Sequence, residues 1–310
     1  MADNTGLSIL VPTYNFVCLQ LINNLHQQAE ALSVPYEIIV SDDASTDMES
    51  ICQNESINSL SHCRYILQPH NLGRASNRNF LANKSKMSNL LFIDSDLIIR
   101  NSSYLENYWC HHNHDVVYGG YVVCNGNRNL RTNLRYMFEL TCQSLSSAEH
   151  RRQRPYHHFH SSNFMIKRSI IMNIPFEERF TGYGYEDVLL GKRLQENNIE
   201  ILHIDNPLGF EVFEENADFV RKTEESLHTL HQFHQELQGY NSLLSFCDCI
   251  SKTRLHLPFK WFHGMFGKSL RANLCGNHPS LWAFRLYKIG YFLHLQTATK
   301  PSFNQDKQHT

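Results

Sequence analysis

Leu90-Leu91-Phe92-Ile93-Asp94-Ser95-Asp96-Leu97-Ile98-Ile99-Arg100 is the stretch on which the fold turns. Four apolar residues run directly into an Asp-Ser-Asp triplet, and the apolar run resumes at Leu97. A short apolar run of this kind reads as a strand buried on both faces, as in a parallel sheet. In such sheets ligands bind outside the carboxyl ends of the strands, where Asp94 and Asp96 would lie. Alternate residues of an extended chain point the same way, so the two carboxylates can face one ion or one diphosphate. Like charges so close repel unless a cation neutralises them. Asp and Ser also form ordinary turns, so the triplet alone leaves a strand-to-turn junction open.

The flanking chain repeats the pattern. Leu7–Val11 is a short apolar strand stopped by Pro12 and the polar Thr13-Tyr14-Asn15. Residues 18, 21, 22, 25, 29 and 32 have helical spacing, and Tyr36–Val40 is a second buried strand ending in Ser41-Asp42-Asp43. Strand, helix and strand in units of ~30 residues predict a right-handed parallel arrangement. Further strands are expected at Arg64–Leu67, Leu90–Ile93, Val116–Val123, Phe164–Lys167 and Ile199–Ile204, with Pro207 and Gly209 breaking the pattern beyond. Helices are expected at Ala75–Ala82, Glu186–Asn197 and Ala217–Leu237, with a loop and helix over 125–156.

Composition bounds the classes. The 310 residues, 42% hydrophobic and 12% aromatic, suffice for a packed core. A near-neutral balance hides an asymmetry: residues 241–310 carry nine Lys/Arg against Asp248 and Asp306, a net +7, which leaves −9 for residues 1–240 of a chain at −2. Nine cysteines show no metal-type paired spacing, and buried, reduced thiols are expected. The N-terminus lacks the features of a secretion signal, and no window reaches the ~20 apolar residues of a membrane span. The expected location is cytoplasmic.

Five pieces in order, LSILVPTYN, EIIVSDDASTD, NLGRASNRNFLA, LLFIDSDLII and IPFEERFTGYGYEDVLLGKRL, resemble the signatures of family 2 glycosyltransferases, the last also resembling galactosyltransferase-type domains. NPLGF and the helix after it resemble the ending of bacterial members. The resemblance spans about residues 7–230 and implies an α/β GT-A fold with a mainly parallel central sheet flanked by helices. A catalytic domain over 1–240 and a basic, aromatic-rich helical extension over 241–310 are expected. The implied activity is inverting transfer of a sugar from a nucleoside-diphosphate sugar, expected to be UDP-linked, to a hydroxyl of a glycan or lipid-linked glycan in polysaccharide biosynthesis.

Residue by residue, Pro12, Thr13 and Tyr14 would border the nucleobase and ribose. Asp42 or Asp43 can accept from a base N–H or a ribose hydroxyl, though the run Asp43–Asp47 can equally cap a helix. Arg74 and Arg78, one helical turn apart, suit bidentate phosphate contact, Arg78 foremost. Asp94, Ser95 and Asp96 match the family's metal triplet, implying Mn²⁺ or Mg²⁺ on hard carboxylate oxygens. Asp96 is expected to ligate directly and Asp94 to touch ribose or bound water. Glu186 and Asp187 open a helix after a glycine-rich turn; the resemblance makes Asp187 the general base and places Glu186 on the acceptor. Gly184, Tyr185, Asn163 and either His158 or His160 are expected on the acceptor side. One departure stands out: many relatives carry a His shortly beyond the Asn-Pro pair, and here Phe210 occupies that place.

His111-His112-Asn113-His114 and His157-His158-Phe159-His160 invite a zinc reading, but no Cys or acid pattern completes either. The tail mixes Trp and Phe with Lys and Arg, as interfacial segments do. It fits either an anionic membrane surface or a helical pair packed on the protein. No base-reading motif accompanies the charge, so nucleic acid is not an expected partner. Rival readings are a sugar-nucleotide pyrophosphorylase, which should carry a glycine-rich basic stretch near the N-terminus, and a non-catalytic module on the same fold.

Overall fold

The computed structural model describes residues 5–124, 128–143 and 146–298. Residues 1–4, part of the expected loop over 125–156, and Lys300, Asp306 and Lys307 of the basic tail lie outside the described residues. The chain forms two compact units, residues 1–131 with 135–214, and residues 132–134 with 215–310.

In chain order the first unit contains β1 (Leu7–Thr13), α1 (Leu19–Ala31), β2 (Tyr36–Asp42), α2 (Met48–Glu55), β3 (Cys63–Leu67), α3 (Arg74–Lys84), β4 (Asn89–Ile93) and β5 (Leu97–Ile98). It continues with α4 (Tyr104–Trp109), β6 (Val116–Tyr118), β7 (Tyr121–Val123), α5 (Leu134–Cys142), α6 (Ala148–Arg152), β8 (Asn163–Lys167), α7 (Arg168–Asn173), α8 (Glu186–Glu196), β9 (Ile201–His203) and β10 (Leu208–Phe210). Seven strands form the main sheet in the order β3-β2-β1-β4-β8-β6-β9. The pairs among β3, β2, β1 and β4 are parallel, and β8 runs antiparallel to both β4 and β6. Crossover helices carry the parallel half, as the βαβ rhythm requires.

Period-two alternation sorts the strand residues to two cores. Leu7, Ile9 and Val11 of β1, Ile38 and Val40 of β2, and Leu91 and Ile93 of β4 join the core with α1 and α4. Leu10, Ile39, Leu90 and Phe92 join the opposite one, with Ala75, Leu81, Leu190 and Leu194 from α3 and α8. Deleting a buried ring such as Phe92 would cost about 3–5 kcal/mol. The apolar run before Asp94 is therefore sandwiched on both faces, as its composition indicates. The two acidic strand ends, Asp42-Asp43 and Asp94-Ser95-Asp96, emerge at the carboxyl ends of β2 and β4, two parallel partners of β1.

Two strand expectations change. The predicted strand Val116–Val123 is broken at Gly119-Gly120, where Gly120 takes φ 81°. A Cβ on Gly119 would lie 2.5 Å from the Tyr108 hydroxyl and 2.8 Å from Asn163 Nδ2, so only glycine passes there. The break sends β6 into the main sheet and β7 into a second, three-stranded sheet of order β5-β10-β7. Its middle strand, β10, lies where Pro207 and Gly209 were expected to end regular structure. Two- and three-residue strands are too short for alternation to register.

The second unit holds α9 (Asn216–Gln232), α10 (Ser242–Lys252), α11 (His256–Cys275) and α12 (Leu281–Ala298). Glu224 of α9 accepts from Arg271 Nε of α11 at 2.8 Å and from the Tyr287 hydroxyl of α12 at 2.6 Å, tying the three together. Val220, Leu227 and Leu230 of α9 are buried. Helix α9 thus groups with the tail, and the compact units divide near 214 rather than at the expected 240. The amphipathic face of α9 finds its apolar partners on α11 and α12, which its own polar composition does not reveal.

Candidate active site

The loop after β1 begins with Thr13, whose carbonyl accepts the Asp43 backbone N–H at 2.9 Å and so couples the ends of β1 and β2. Pro12 and Thr13 lie in the last turn of that strand, and Tyr14 beyond them is exposed. Asp42 is fully buried and both its oxygens are engaged, Oδ1 by the Ser45 N–H at 2.8 Å and Oδ2 by the Tyr65 hydroxyl at 2.5 Å. Of the pair offered for a nucleotide contact, Asp42 therefore holds the loop. Asp43 accepts the N–H groups of Leu72 at 2.6 Å and Gly73 at 3.0 Å, fixing the turn that launches α3, while burial pushes its carboxyl upward. Asp47 caps α2, confirming the capping use of that run.

Helix α3 presents Arg74 and Arg78 on one side, and their surroundings differ. Arg74 is exposed and its guanidinium lies 4.5 Å from the centre of the Tyr183 ring. Although burial opposes it, the surrounding Glu186, Tyr183, Asp94 and Asp96 hold its proton more tightly than usual. Arg78 is only 2% exposed, with Nη2 donating to Asp94 Oδ1 at 2.6 Å and Nη1 to Glu186 Oε1 at 3.3 Å. Arg78, expected near the nucleotide, is thus engaged by two acids of the protein. A buried guanidinium between two carboxylates is an internal strut, because its charge and two of its nitrogens are already spent.

Through that strut the first-half acids meet the second-half acids. Glu186, expected on the acceptor side, is 4% exposed and faces Arg78. Burial and then the neighbouring Asp187 raise its carboxyl. Gly184 at φ 90° and Tyr185 at φ 71° form a left-handed pair that turns the chain into α8. A bulky residue at positive φ is costly, and such strain is typical of sites that must hold one geometry. One residue on, Asp187 accepts the Val188 N–H on Oδ1 at 2.8 Å and His160 Nδ1 on Oδ2 at 3.0 Å. Burial works against its ionised form, but the His160 hydrogen bond and charge hold its carboxyl below the usual range.

Asn163, expected on the acceptor side, is bonded throughout to the protein. It is 0% exposed; its Oδ1 accepts the hydroxyls of Tyr104 at 2.6 Å and Tyr108 at 2.8 Å, and its Nδ2 donates to the Gly120 and Asn206 carbonyls. The residue joins β8, α4 and the glycine break, and no face is left for a ligand. His158 packs near His150, and burial lowers its pKa, whereas His160 stands beside Asp187.

Asp96 differs from its neighbour Asp94. No other side chain hydrogen-bonds its carboxylate among the described residues, and burial followed by Asp94 raises its pKa, with Arg135 and Arg74 opposing. Ser95 lies between them, partly exposed. Phe210 is buried opposite Leu97 in the β5–β10 pair, the residue after Asp96. The Arg135 guanidinium sits over its ring at 4.5 Å, held by Glu214 at 2.5 Å and Glu139 at 3.8 Å. Where an imidazole was expected, the chain thus has an aromatic seat for an arginine. Sequence reasoning did not single out Arg135, Tyr121 or Tyr183, and nothing short of the fold connects Arg135 with Phe210.

The oxygens of Asp96 and Asp94 Oδ2 suit a hard divalent ion, which commonly takes one or two carboxylates and completes its shell with water and phosphate. Six carboxylates (Asp94, Asp96, Glu139, Glu186, Asp187, Glu214) face three guanidiniums and one imidazole, so the cluster has room for added positive charge. Among the described residues no three His, Cys, Asp or Glu side chains form a metal-holding group. His112 instead stacks on Trp109 at 4.4 Å.

The mostly parallel sheet, with acids at the carboxyl ends of β2 and β4 and a second acid pair opening α8, is a GT-A fold. The chain belongs to glycosyl transferase family 2, whose model matches residues 8–174. An uncharacterized glycosyltransferase of Haemophilus influenzae is 28% identical over 127 residues, covering 38% of this chain and 48% of the relative, so the match spans about half of that curated relative's length. S. aureus TarS 1–349 superposes with a TM-score of 0.52 at 17% identity, over 93% of this chain and 89% of that one. The mannosyltransferase PcManGT from Pyrobaculum calidifontis, solved with GDP-Man and Mn²⁺, gives 0.51 at 17% identity, over 96% and 83%. Both are likenesses of fold.

Proposed function

We propose that this chain transfers a sugar from a nucleoside-diphosphate sugar, UDP-linked by preference, to a hydroxyl of a glycan or lipid-linked glycan, with inversion. The observation that carries the reading is the Asp94–Arg78–Glu186 bridge, which sets the acidic end of β4 beside the helix that bears Asp187. Pro12, Thr13, Tyr14 and Asp43 form the nucleoside side of the site, and Arg74, exposed over Tyr183, is its phosphate-facing cation. TarS, whose fold this chain shares, has been solved with UDP-GlcNAc, and PcManGT with GDP-Man. Both precedents favour a nucleotide-sugar donor.

Asp96, with Asp94, would hold Mn²⁺ or Mg²⁺. A bound divalent ion would offset the charge that gathers on the departing diphosphate. The chain's own groups do the rest. Arg78 fixes the two acid-bearing elements, Gly184 and Tyr185 set the entry to α8, and the Asp187 end of the site supplies the base for the acceptor hydroxyl. A base on the face opposite the leaving group is what an inverting displacement needs.

Calorimetric titration with UDP and GDP, with and without Mn²⁺, tests the donor side. Binding that Mn²⁺ strengthens tenfold or more, and that D96A abolishes, is expected. Equal affinity of wild type and D96A in Mn²⁺ would remove Asp96 as the metal residue.

The second unit is proposed to dock on anionic membrane. Leu255, Leu257, Trp261, Met265 and Phe266 are exposed along and just before α11, as is Trp282 of α12, amid Lys and Arg. Leu257, Trp261 and Met265 recur at helical spacing, giving an apolar stripe with cations around it. No helix among the described residues is long and apolar enough to cross a membrane. Flotation with phosphatidylglycerol vesicles, lost in W261S/M265S, is expected; a full chain that stays at the bottom of the gradient contradicts it.

A further inference from the structure

We propose that the cleft between α3 and α8 seats uncharged sugar units of the acceptor glycan, apart from the atoms that react. The inference rests on the transferase reading above and deepens its acceptor: a glycan of several sugars, held by its body as well as by its reacting end.

The cleft encloses about 480 Å³, within the ~300–1,000 Å³ of small-ligand sites. It opens between the C-terminal halves of α3 and α8, the two helices whose N-terminal halves bring Arg78 to Glu186. Arg193, in its wall, stands about two turns beyond Glu186 on the same face of α8, about 10 Å along the axis. A short oligosaccharide anchored in the cleft therefore reaches back toward the Asp187 end of that helix.

The walls are built in advance. Asn79 of α3, 7% exposed, donates Nδ2 to the Phe176 carbonyl and to Glu178 Oε1, both at 2.9 Å. Its Oδ1 accepts the Phe176 N–H at 3.0 Å, so one buried amide locks the 176–178 segment to α3. The Phe176 ring packs on Phe92 and lies 5.7 Å from the Arg78 guanidinium, backing the cleft and the Arg78 bridge alike.

The lining selects a neutral polyol. Glu177 Oε2 accepts from Arg193 Nη2 at 2.6 Å and from Arg179 Nη2 at 3.0 Å. With Glu178 beside them, two acids face two arginines and no net charge is left over. What stays open is hydrogen-bonding capacity. Glu178 Oε2 and Asn83 Oδ1 as acceptors, and Arg193 Nε as donor, have no partner among the described residues. Met172, 39% exposed, and the exposed Pro175 form the apolar wall. A phosphate would be repelled by Glu178 and an ammonium by Arg193, so neither charged group fits. A sugar offers hydroxyls that donate and accept at once, and a face of C–H groups to lie on Met172 and Pro175.

The test uses the full chain and ligand-observed NMR with maltotriose, cellotriose, chitotriose and mannotriose, in the absence of donor. At least one trisaccharide should bind with a millimolar Kd and should not be displaced by UDP with Mn²⁺. E178A should weaken it about tenfold and N83A about three- to tenfold, whereas E178Q, which keeps an acceptor oxygen, should retain most of the affinity. Both side chains are exposed, and Asn79 keeps the Phe176 carbonyl when Glu178 is gone, so the variants stay folded. Release of nucleoside diphosphate from UDP-GlcNAc, UDP-glucose, UDP-galactose and GDP-mannose, with water as acceptor, is read alongside. No binding of any trisaccharide, equal binding by wild type, E178A and N83A, or displacement by UDP with Mn²⁺ overturns the proposal, and donor hydrolysis in the same preparation leaves the transferase reading intact. A chain that binds a trisaccharide yet hydrolyses no donor overturns the transferase reading, and with it the acceptor role of the cleft.

Discussion

Replacing Arg78 with methionine separates an internal strut from a ligand arm. Arg78 is 2% exposed and shared by Asp94 and Glu186. Asp94, with a quarter of its side chain exposed, can turn to water when the guanidinium is removed. Glu186, at 4%, cannot, and would lose its hydrogen-bonded cation, with Arg74 left as its nearby positive charge. Removing one member of a buried ion pair costs about 3–5 kcal/mol. Arg78 Nε is itself buried with no partner among the described residues, so its deletion returns part of that cost and favours the lower end. At ~2–4 °C per kcal/mol for a unit of this size, R78M should melt roughly 6–15 °C below wild type. Adding E186Q neutralises the stranded acid, and the double variant should recover at least about 2 kcal/mol, the signature of coupled neighbours. Chemical denaturation monitored by circular dichroism measures each corner of the cycle. An R78M protein that melts within about 2 °C of wild type, yet no longer binds UDP or GDP, would refute the strut and restore the phosphate role.

Two further outcomes follow from the same cluster and its supports. His160 is raised above its ordinary 6.5, so its contribution to stability is complete below pH 6.5 and fades as pH rises through the folded value; Asp187 is lowered below 3.8, so its contribution is complete above pH 3.8 and fades as pH falls through its folded value. The melting-temperature gap between wild type and H160N should therefore be widest between those limits and narrow toward pH 9; a gap constant from pH 5 to 9 contradicts the pairing. N163A leaves the buried Tyr104 hydroxyl without its acceptor, while the Tyr108 hydroxyl keeps the Asn163 backbone carbonyl, and should cost about 1–3 kcal/mol, read by urea unfolding, whereas a residue that merely lined a pocket would cost under ~1 kcal/mol.

The fold was legible wherever burial writes a long, regular pattern. The runs ending at Val11, Val40 and Ile93 are buried on both faces, and a continuous apolar run allows little else. The helical spacing of 21, 22, 25 and 29 likewise reappears as the buried face of α1. What escaped was short or non-local. The three-stranded sheet is built from pieces of two and three residues, and the glycine break at 119–120 is fixed by Tyr108 and Asn163, far away in sequence. Site positions were legible as positions, less so as roles. Charge type and spacing mark Arg78, Glu186 and Asn163 as polar groups near a site, but whether such a group faces ligand or protein depends on who sits opposite. Phe210 shows the same limit: the missing histidine was visible, its replacement by a seated Arg135 was not.

The central claim is that Asp94–Asp96 and Asp187 belong to one transfer site joined through Arg78. Release of nucleoside diphosphate from the four-donor panel in Mn²⁺, compared among wild type, D96A and D187A, tests it most directly. The account predicts turnover of at least one donor by wild type, with losses of 100-fold or more in both variants while both remain folded by circular dichroism. Full turnover by either variant, or none by wild type, would contradict it.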